Sequence, residues 1–128
     1  MRKAISQQVS VGKQPRQSDL EDLRKDGVTT VVNLRVAGED TSLTPAGERA
    51  LAEKLGLQYH HLPKSLDKLD VAQVKELREI LHNSQGPVFV HCGMGQRAWS
   101  FSLAASGVDA DSISNKHVNW VFRSRMRS

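Results

Sequence analysis

Apolar residues recur along the chain in two alternating patterns, which are short β-branched runs and longer stretches with helical spacing. The runs VTTVVNL, at 28 to 34, and PVFVH, at 87 to 91, are short enough for buried strands. A stretch between them carries apolar residues every three or four positions, which predicts a helix capped by Asp70. Its apolar face consists of Val71, Val74, Leu77 and Leu81.

Weaker patterns predict the remaining elements. Ser18 with Glu21 has the spacing of a capping box, and Thr44-Pro45 is a typical helix start, with Leu51 and Leu55 on the apolar face. The other predicted elements are an edge strand within 4 to 11, a strand from Leu57 to Leu62, a helix from Arg97 to Ser106, and a last helix that begins at Asp109 or Asp111 and continues through Phe122.

The order of these elements predicts an α/β fold. Strands that alternate with helices favour a mostly parallel central sheet flanked by helices, and 128 residues suit a single domain over 1–128. In such sheets, ligands bind outside the carboxyl ends of the strands. Cys92 follows the strand at 87 to 91 directly, so the fold and the chemistry point to the same place.

Charge and composition narrow the class of partner. A formal net charge of +4 favours anionic partners, but no nucleic-acid-binding signature accompanies it, so we predict no nucleic-acid role. A single cysteine fits a reducing cytoplasm, and no apolar run approaches the roughly 18 residues of a membrane span. His60 and His61 are adjacent on a strand and point to opposite faces, so they cannot form one metal pair. With a single cysteine and no H-x-x-x-H arrangement, we predict no metal, and we also predict no other cofactor.

The segment HCGMGQR, at 91 to 97, has the composition of an anion-binding loop. Gly93 and Gly95 allow the backbone to turn, so that successive N–H groups converge at the positive end of the next helix. Arg97 adds a planar pair of donors. A thiol in that field loses its proton more readily, and the thiolate is the nucleophilic form. The alternative, a cysteine buried only for packing, leaves the glycines and the arginine without a purpose.

HCGMGQR resembles the signature of cysteine-dependent phosphatases and of the related rhodanese sulfurtransferases. With SVGKQP, DLEDLRKDGVTTVVNLR and the segment from Gly56 to Pro63, residues 5 to 107 resemble the bacterial beta-lactamase-hydrolase-like phosphatase domain. That domain is similar to dual-specificity and tyrosine phosphatases. The resemblance implies a cysteine-phosphatase-like fold and a hydrolase acting on a phosphorylated protein or a small phosphoester. It leaves the oligomeric state open.

The resemblance also implies roles for individual residues. Cys92 matches the nucleophile that forms a phosphocysteine, and Arg97 matches the arginine that holds phosphoryl oxygens. His91 matches the histidine that orders the loop, and Arg35 matches an arginine that either contacts substrate or braces a loop. Asp67 is our choice of general acid, ahead of Asp70 and Asp40. The implied phosphate cradle consists of Gly93, Met94, Gly95, Gln96 and Arg97.

Two departures keep other activities open. Only four residues separate Cys92 from Arg97, where tyrosine phosphatases usually have five. This shorter loop is rhodanese-like, and it is also a feature of the bacterial phosphatase domain that the chain resembles. Ala98 stands where phosphatases usually have a hydroxyl residue that assists breakdown of the phosphocysteine. The alternatives are therefore a sulfurtransferase that carries a persulfide on Cys92, and an anion-binding module without turnover.

Overall fold

Nine elements form the described part of the chain. The structure is a computed structural model that describes residues 2–36, 43–63, 71–93 and 95–106. In chain order the elements are β1 (Arg2–Ala4), β2 (Val9–Gly12), α1 (Gln17–Lys25), β3 (Thr30–Asn33), α2 (Pro45–Lys54), β4 (Gln58–His61), α3 (Val71–Asn83), β5 (Val88–His91) and α4 (Gln96–Ala105). The predicted Asp70 cap and the predicted last helix lie outside the described residues.

The five strands form one mixed sheet in the order β1-β2-β5-β3-β4. β2, β5, β3 and β4 run parallel, and only β1 runs antiparallel to its neighbour β2. The predicted mostly parallel α/β sheet is therefore confirmed. β5 lies at the centre, and its last residue, His91, pairs with Gly12 on one side and Asn33 on the other. The ends of β2 and β3 thus flank the start of the segment after β5.

The prediction of one edge strand within 4 to 11 is wrong, because this stretch turns back on itself. Ser6 Oγ accepts hydrogen bonds from the main-chain N–H groups of Gln8 and Val9, each at 3.1 Å. The Ile5 N–H donates to the Val9 carbonyl oxygen at 2.8 Å. A serine side chain that binds nearby backbone groups favours a turn over a continuous strand. β2 is consequently an interior strand, and β1 takes the edge.

Side chains alternate between the two faces of the sheet and build two apolar clusters. On β5, Val88 and Val90 belong to the cluster covered by α3 and α4, whereas Phe89 belongs to the cluster covered by α1 and α2. On β3, Val32 and Val31 divide in the same way. This is the period of two expected of a strand whose faces are both covered. It explains why both strands have continuous β-branched or aromatic sequences.

Two helices differ from the sequence prediction in their details. The N-cap of α1 is Arg16 rather than Ser18, and its main-chain N–H donates to Asp19 Oδ2 at 2.9 Å. The capping acid is therefore Asp19, not Glu21. On α3, Leu77 and Leu81 are buried as predicted, but Val71 at the first position is 83% exposed. α4 begins one residue earlier than predicted. None of the helices described here is long and apolar enough to cross a membrane.

Candidate active site

The site begins where β5 ends, in the middle of the sheet. Cys92 follows His91 directly, and its main-chain N–H donates to the Gly12 carbonyl oxygen at 3.4 Å. The Gly93 carbonyl oxygen accepts from the Gln14 N–H at 3.2 Å. Main-chain bonds to the end of β2 therefore hold the first residues of the loop. Met94, one of the predicted cradle residues, lies outside the described residues.

Two main-chain N–H groups of the loop and of α4 point at the sulfur of Cys92. The Gly95 N–H lies 3.1 Å from Sγ, and the Ala98 N–H lies 3.4 Å from it. Cys92 is 1% exposed, which fits a packed thiol and a thiol at the base of a binding site equally well. N–H groups at a helix N-terminus favour a negatively charged acceptor, so this arrangement is compatible with an anionic group beside α4.

Gly95 makes this arrangement possible. It is the N-cap of α4 and has a φ of 101°, in the left-handed region that side chains other than glycine rarely adopt. A Cβ built on Gly95 would approach Gly12 C at 3.5 Å, an ordinary contact. Glycine is therefore required here by the backbone conformation rather than by crowding. That conformation turns the chain from the loop into α4 and aims the Gly95 N–H at Sγ.

Arg97 lies in the first turn of α4, half-buried, five positions after Cys92. Gln96, the first residue of the helix, is exposed. The first turn of any α-helix directs main-chain N–H groups out of its N-terminal end. The N-terminal end of α4 therefore presents main-chain donors beside the sulfur.

A buried polar cluster lies behind the loop, and the sequence did not predict its central residue. Glu48 of α2 is fully buried, with Oε2 in contact with Nε2 of His91. Gln14 Nε2 donates to Glu48 Oε1 at 2.8 Å. Arg35 Nη2 lies 3.8 Å from the same oxygen. A glutamate four residues after a helix N-cap usually lies on the surface, where its charge interacts favourably with the helix dipole. No local signal in the sequence therefore revealed this role.

Arg35 is buried and bonded to the main chain ahead of α2. Its side chain is 1% exposed, and Nη2 donates to the Leu43 carbonyl oxygen at 2.7 Å. Its own carbonyl oxygen contacts His61 Nε2 at 2.6 Å. Of the two roles that the resemblance left open for Arg35, substrate contact and loop bracing, this geometry favours bracing. Asp67, Asp70 and Asp40, the candidates for the general acid, lie outside the described residues.

Tyr59 lies next to this cluster and has a raised pKa. Asn33 Nδ2 donates to its hydroxyl oxygen at 2.8 Å, and the Arg49 guanidinium lies 5.0 Å from the ring centroid. Burial, followed by the nearby Glu48 carboxylate, raises the pKa of Tyr59 to about 12. The folded protein holds the Tyr59 proton more tightly than the unfolded chain does, and this difference stabilises the fold. The stabilisation is complete below pH ~10 and is lost as the pH rises towards 12.

We expect tyrosinate absorbance to appear with a midpoint near pH 12. Tyr59 is the only tyrosine in the chain, so the titration reports this residue alone. Circular dichroism recorded on the same samples verifies that the fold persists. Glu48→Gln should lower the midpoint, because it removes the nearby negative charge. A midpoint near 10 in the folded protein would contradict the burial and the charge described here.

Comparisons with known proteins place this chain in a family. The model of the beta-lactamase hydrolase-like protein, phosphatase-like domain, matches residues 2–107. A beta-lactamase hydrolase-like protein of Agrobacterium fabrum is 26% identical over 107 residues, which are 82% of this chain and 25% of that protein. The chain thus spans about a quarter of the length of the curated relatives it matches.

Solved structures share the fold. A candidate phosphatase from Neisseria meningitidis has a TM-score of 0.74 at 24% identity, covering 87% of this chain and 82% of that one. P. aeruginosa TpbA in complex with pTyr has a TM-score of 0.67 at 22% identity, covering 87% and 67%. These likenesses show a cysteine-phosphatase-like fold, as predicted. Because the family model matches residues 2–107 of the 128-residue chain, the chain belongs to the phosphatase-like domain family of beta-lactamase hydrolase-like proteins.

Proposed function

We propose that this domain is a cysteine-dependent phosphatase that cleaves phosphoesters through a phosphocysteine intermediate. Cys92 is the nucleophile, and Arg97 with the main-chain N–H groups of residues 93 to 97 holds the phosphoryl oxygens. Membership in a phosphatase-like family supports the reaction class. The observation that carries the proposal is the pair of main-chain N–H groups, from Gly95 and Ala98, directed at the sulfur at the N-terminus of α4.

The chemistry follows from this placement in two steps. The Cys92 thiolate attacks phosphorus and forms an S–P bond while the P–O bond to the leaving group breaks. A general acid gives its proton to the departing oxygen. Water then attacks the phosphocysteine, the same carboxylate takes a proton from that water, and inorganic phosphate and the thiolate are released. Hydrogen bonds from Gly95 and Ala98 stabilise the thiolate as the attacking group and as the leaving group.

Asp67 is the general acid in this proposal. It follows β4 in the chain, and β4 is the neighbour of β3 in the sheet. A general acid matters most when the leaving oxygen is strongly basic. An Asp67→Asn variant should therefore slow release of phosphate from an aryl phosphate with a poor leaving group far more than from one with a good leaving group. Equal rates of the variant and the native protein on the poor leaving group would remove Asp67 from the mechanism.

Phosphotyrosine is the substrate class we propose to test first. TpbA, which shares the fold, was solved in complex with pTyr. The likeness supports an aryl phosphate as a suitable probe, and a phosphotyrosine peptide is the natural next substrate. Small phosphoesters remain within the same proposal, because the loop holds only the phosphoryl group.

A sulfurtransferase is the second candidate, and two features of the loop favour it. With four residues between Cys92 and Arg97, the loop is one residue shorter than in typical tyrosine phosphatases and suits a smaller group. Ala98 approaches Sγ with its main-chain N–H only, so no side-chain hydroxyl assists the departure of the sulfur. In this reaction the outer sulfur of thiosulfate passes to Cys92 as sulfite leaves. Cyanide then removes that sulfur as thiocyanate.

Three assays on the native protein separate the candidates. We expect release of the chromogenic alcohol from an aryl phosphate, together with inorganic phosphate, and no thiocyanate from thiosulfate and cyanide. Thiocyanate formation without phosphate release would overturn the phosphatase in favour of the sulfurtransferase. Phosphate or sulfate binding with neither activity would identify an anion-binding module.

A further inference from the structure

One buried carboxylate contacts side chains at the ends of three neighbouring strands. Gln14 comes after β2, His91 ends β5, and Arg35 comes after β3. All three approach the carboxylate of Glu48, which α2 carries under the ends of these strands. The three strands are consecutive in the sheet, in the order β2, β5, β3. Glu48 thus links all three strand ends.

Two of these partners are attached directly to the loop. His91 is bonded to Cys92 through a peptide bond, so the orientation of its ring is coupled to the main chain at the nucleophile. Gln14 contacts Glu48 through its side chain, and its main-chain N–H donates to the Gly93 carbonyl oxygen at 3.2 Å. A displacement of Glu48 therefore reaches the loop from both sides of Cys92.

Stability alone does not explain a glutamate at this position. A buried carboxylate loses its hydration, and well-packed apolar groups often stabilise a protein as much as a buried ion pair does. Ala52 lies one turn later on the same buried face of α2. An apolar residue at 48 would continue that face. Hydrogen bonds to a fixed carboxylate give what apolar packing lacks, which is a defined direction for each partner.

We propose that Glu48 is a positioning residue for the anion-binding loop. It orients His91 and Gln14 so that the N–H groups after Cys92 converge on one anion, while Arg35 compensates its charge and ties it to the end of β3. The proposal rests on the proposed function for its effect on turnover. Its effect on the binding of inorganic phosphate does not require any turnover.

The test compares the same chemical change at two places on α2. Glu48→Gln keeps the size of the side chain but replaces one acceptor oxygen with a donor. Glu53→Gln makes the same change at an exposed position of the same helix, where the carboxylate lies 4.0 Å from Arg49. We expect Glu48→Gln to lower kcat for an aryl phosphate by about 10- to 100-fold, the effect typical of residues that orient a site. Glu53→Gln should leave kcat unchanged.

Phosphate binding is measured independently of activity. Cys92 is the only cysteine, so alkylation by iodoacetamide reports this residue alone, and inorganic phosphate bound at the loop protects it. We expect Glu48→Gln to require at least about tenfold more phosphate for the same protection. A native protein that binds phosphate without hydrolysing the ester would contradict the proposed function, yet it would still permit this test. The two proposals can therefore fail separately.

A double variant tests whether Glu48 acts through His91. If the two side chains work as one unit, Glu48→Gln with His91→Asn is no worse than the more damaging single variant. Additive losses of kcat would overturn the proposal. So would a folded Glu48→Gln with native kcat and native phosphate protection, even if its melting temperature falls. If Glu48→Gln does not fold, Glu48→Asp, which keeps the charge on a shorter side chain, replaces it. Failure of both variants to fold would show a structural role and overturn the proposal.

Discussion

Cys92→Ser is expected to reduce kcat for an aryl phosphate by roughly 10³-fold or more while the protein still binds phosphate. A serine oxygen can accept the Gly95 and Ala98 N–H groups that now approach the sulfur at 3.1 and 3.4 Å. Its hydroxyl stays protonated near neutral pH and is a poor nucleophile without a base. The loop should therefore keep its shape and its affinity for the anion but lose the attacking group.

Turnover and phosphate affinity must be measured on the same preparation of the variant. Isothermal titration with inorganic phosphate gives the affinity, since the variant has no thiol for an alkylation assay. Cys92→Ala is the matched control, because it removes both the nucleophile and the acceptor of the two N–H bonds. We expect it to be equally inactive and somewhat less stable. Activity above about one per cent of the native rate in Cys92→Ser would contradict a phosphocysteine intermediate.

Arg97→Lys is expected to lower kcat/KM by about 10²- to 10³-fold, as loss of a transition-state donor typically does. Lysine keeps the positive charge but loses the planar fork that binds two oxygens at once. The charge on the phosphoryl oxygens reorganises as the P–O bond breaks, so the loss should be larger in kcat than in phosphate affinity. Steady-state kinetics with the aryl phosphate, together with phosphate titration, separate these two effects.

Arg78→Lys provides the control for Arg97→Lys, because Arg78 lies on α3 and contacts the other end of α4. Arg78 Nε and Nη2 donate to the carbonyl oxygens of Ala105 and Ala104, at 3.1 and 3.2 Å, and so stabilise the C-terminus of α4. Its replacement should lower the melting temperature and leave kcat and KM near the native values. If Arg97→Lys behaves like Arg78→Lys, Arg97 does not bind the reacting group.

The sequence predicts the parts of the site that depend on local pattern. The buried runs at 28 to 34 and 87 to 91 correspond to β3 and β5, and the glycines after His91 correspond to the turn into α4. Each has a local cause, which is β-branched composition for the strands and positive φ for Gly95. A reader of the sequence can therefore place Cys92 at the end of a central strand and at the start of a helix.

Residues whose role depends on distant partners are not predictable in this way. Glu48 has the position of an ordinary first-turn acid on α2, and only the packing of α2 under the sheet brings it to His91, 43 positions away. The predicted apolar face of α2 contained Leu51 and Leu55, but both are only half-buried, whereas Glu48 and Ala52 face the interior. Helical periodicity alone cannot reveal a buried charge, because it assigns charged residues to the outside.

The sequence prediction missed the turn at Ser6 for a different reason. Residues 4 to 11 have scattered apolar positions, and a strand prediction reads through Ser6. Ser6 Oγ accepts hydrogen bonds from two main-chain N–H groups, and these bonds divide the stretch into β1, a turn and β2. A side chain that competes with the ladder for backbone donors has no signature in hydrophobicity. The consequence for topology is large, since β2 becomes the strand that holds Gly12 and Gln14 beside the loop.

The central position of β5 in the sheet affects how fast its amide protons exchange with solvent. Amide protons of strands paired on both sides usually exchange with solvent only during global unfolding, whereas edge strands such as β1 and β4 fray in smaller, more frequent openings. We therefore expect the main-chain amide of His91, the residue before Cys92, to exchange slowly. We also expect fraying of β1 or β4 to leave the pairing of His91 with Gly12 and Asn33 intact.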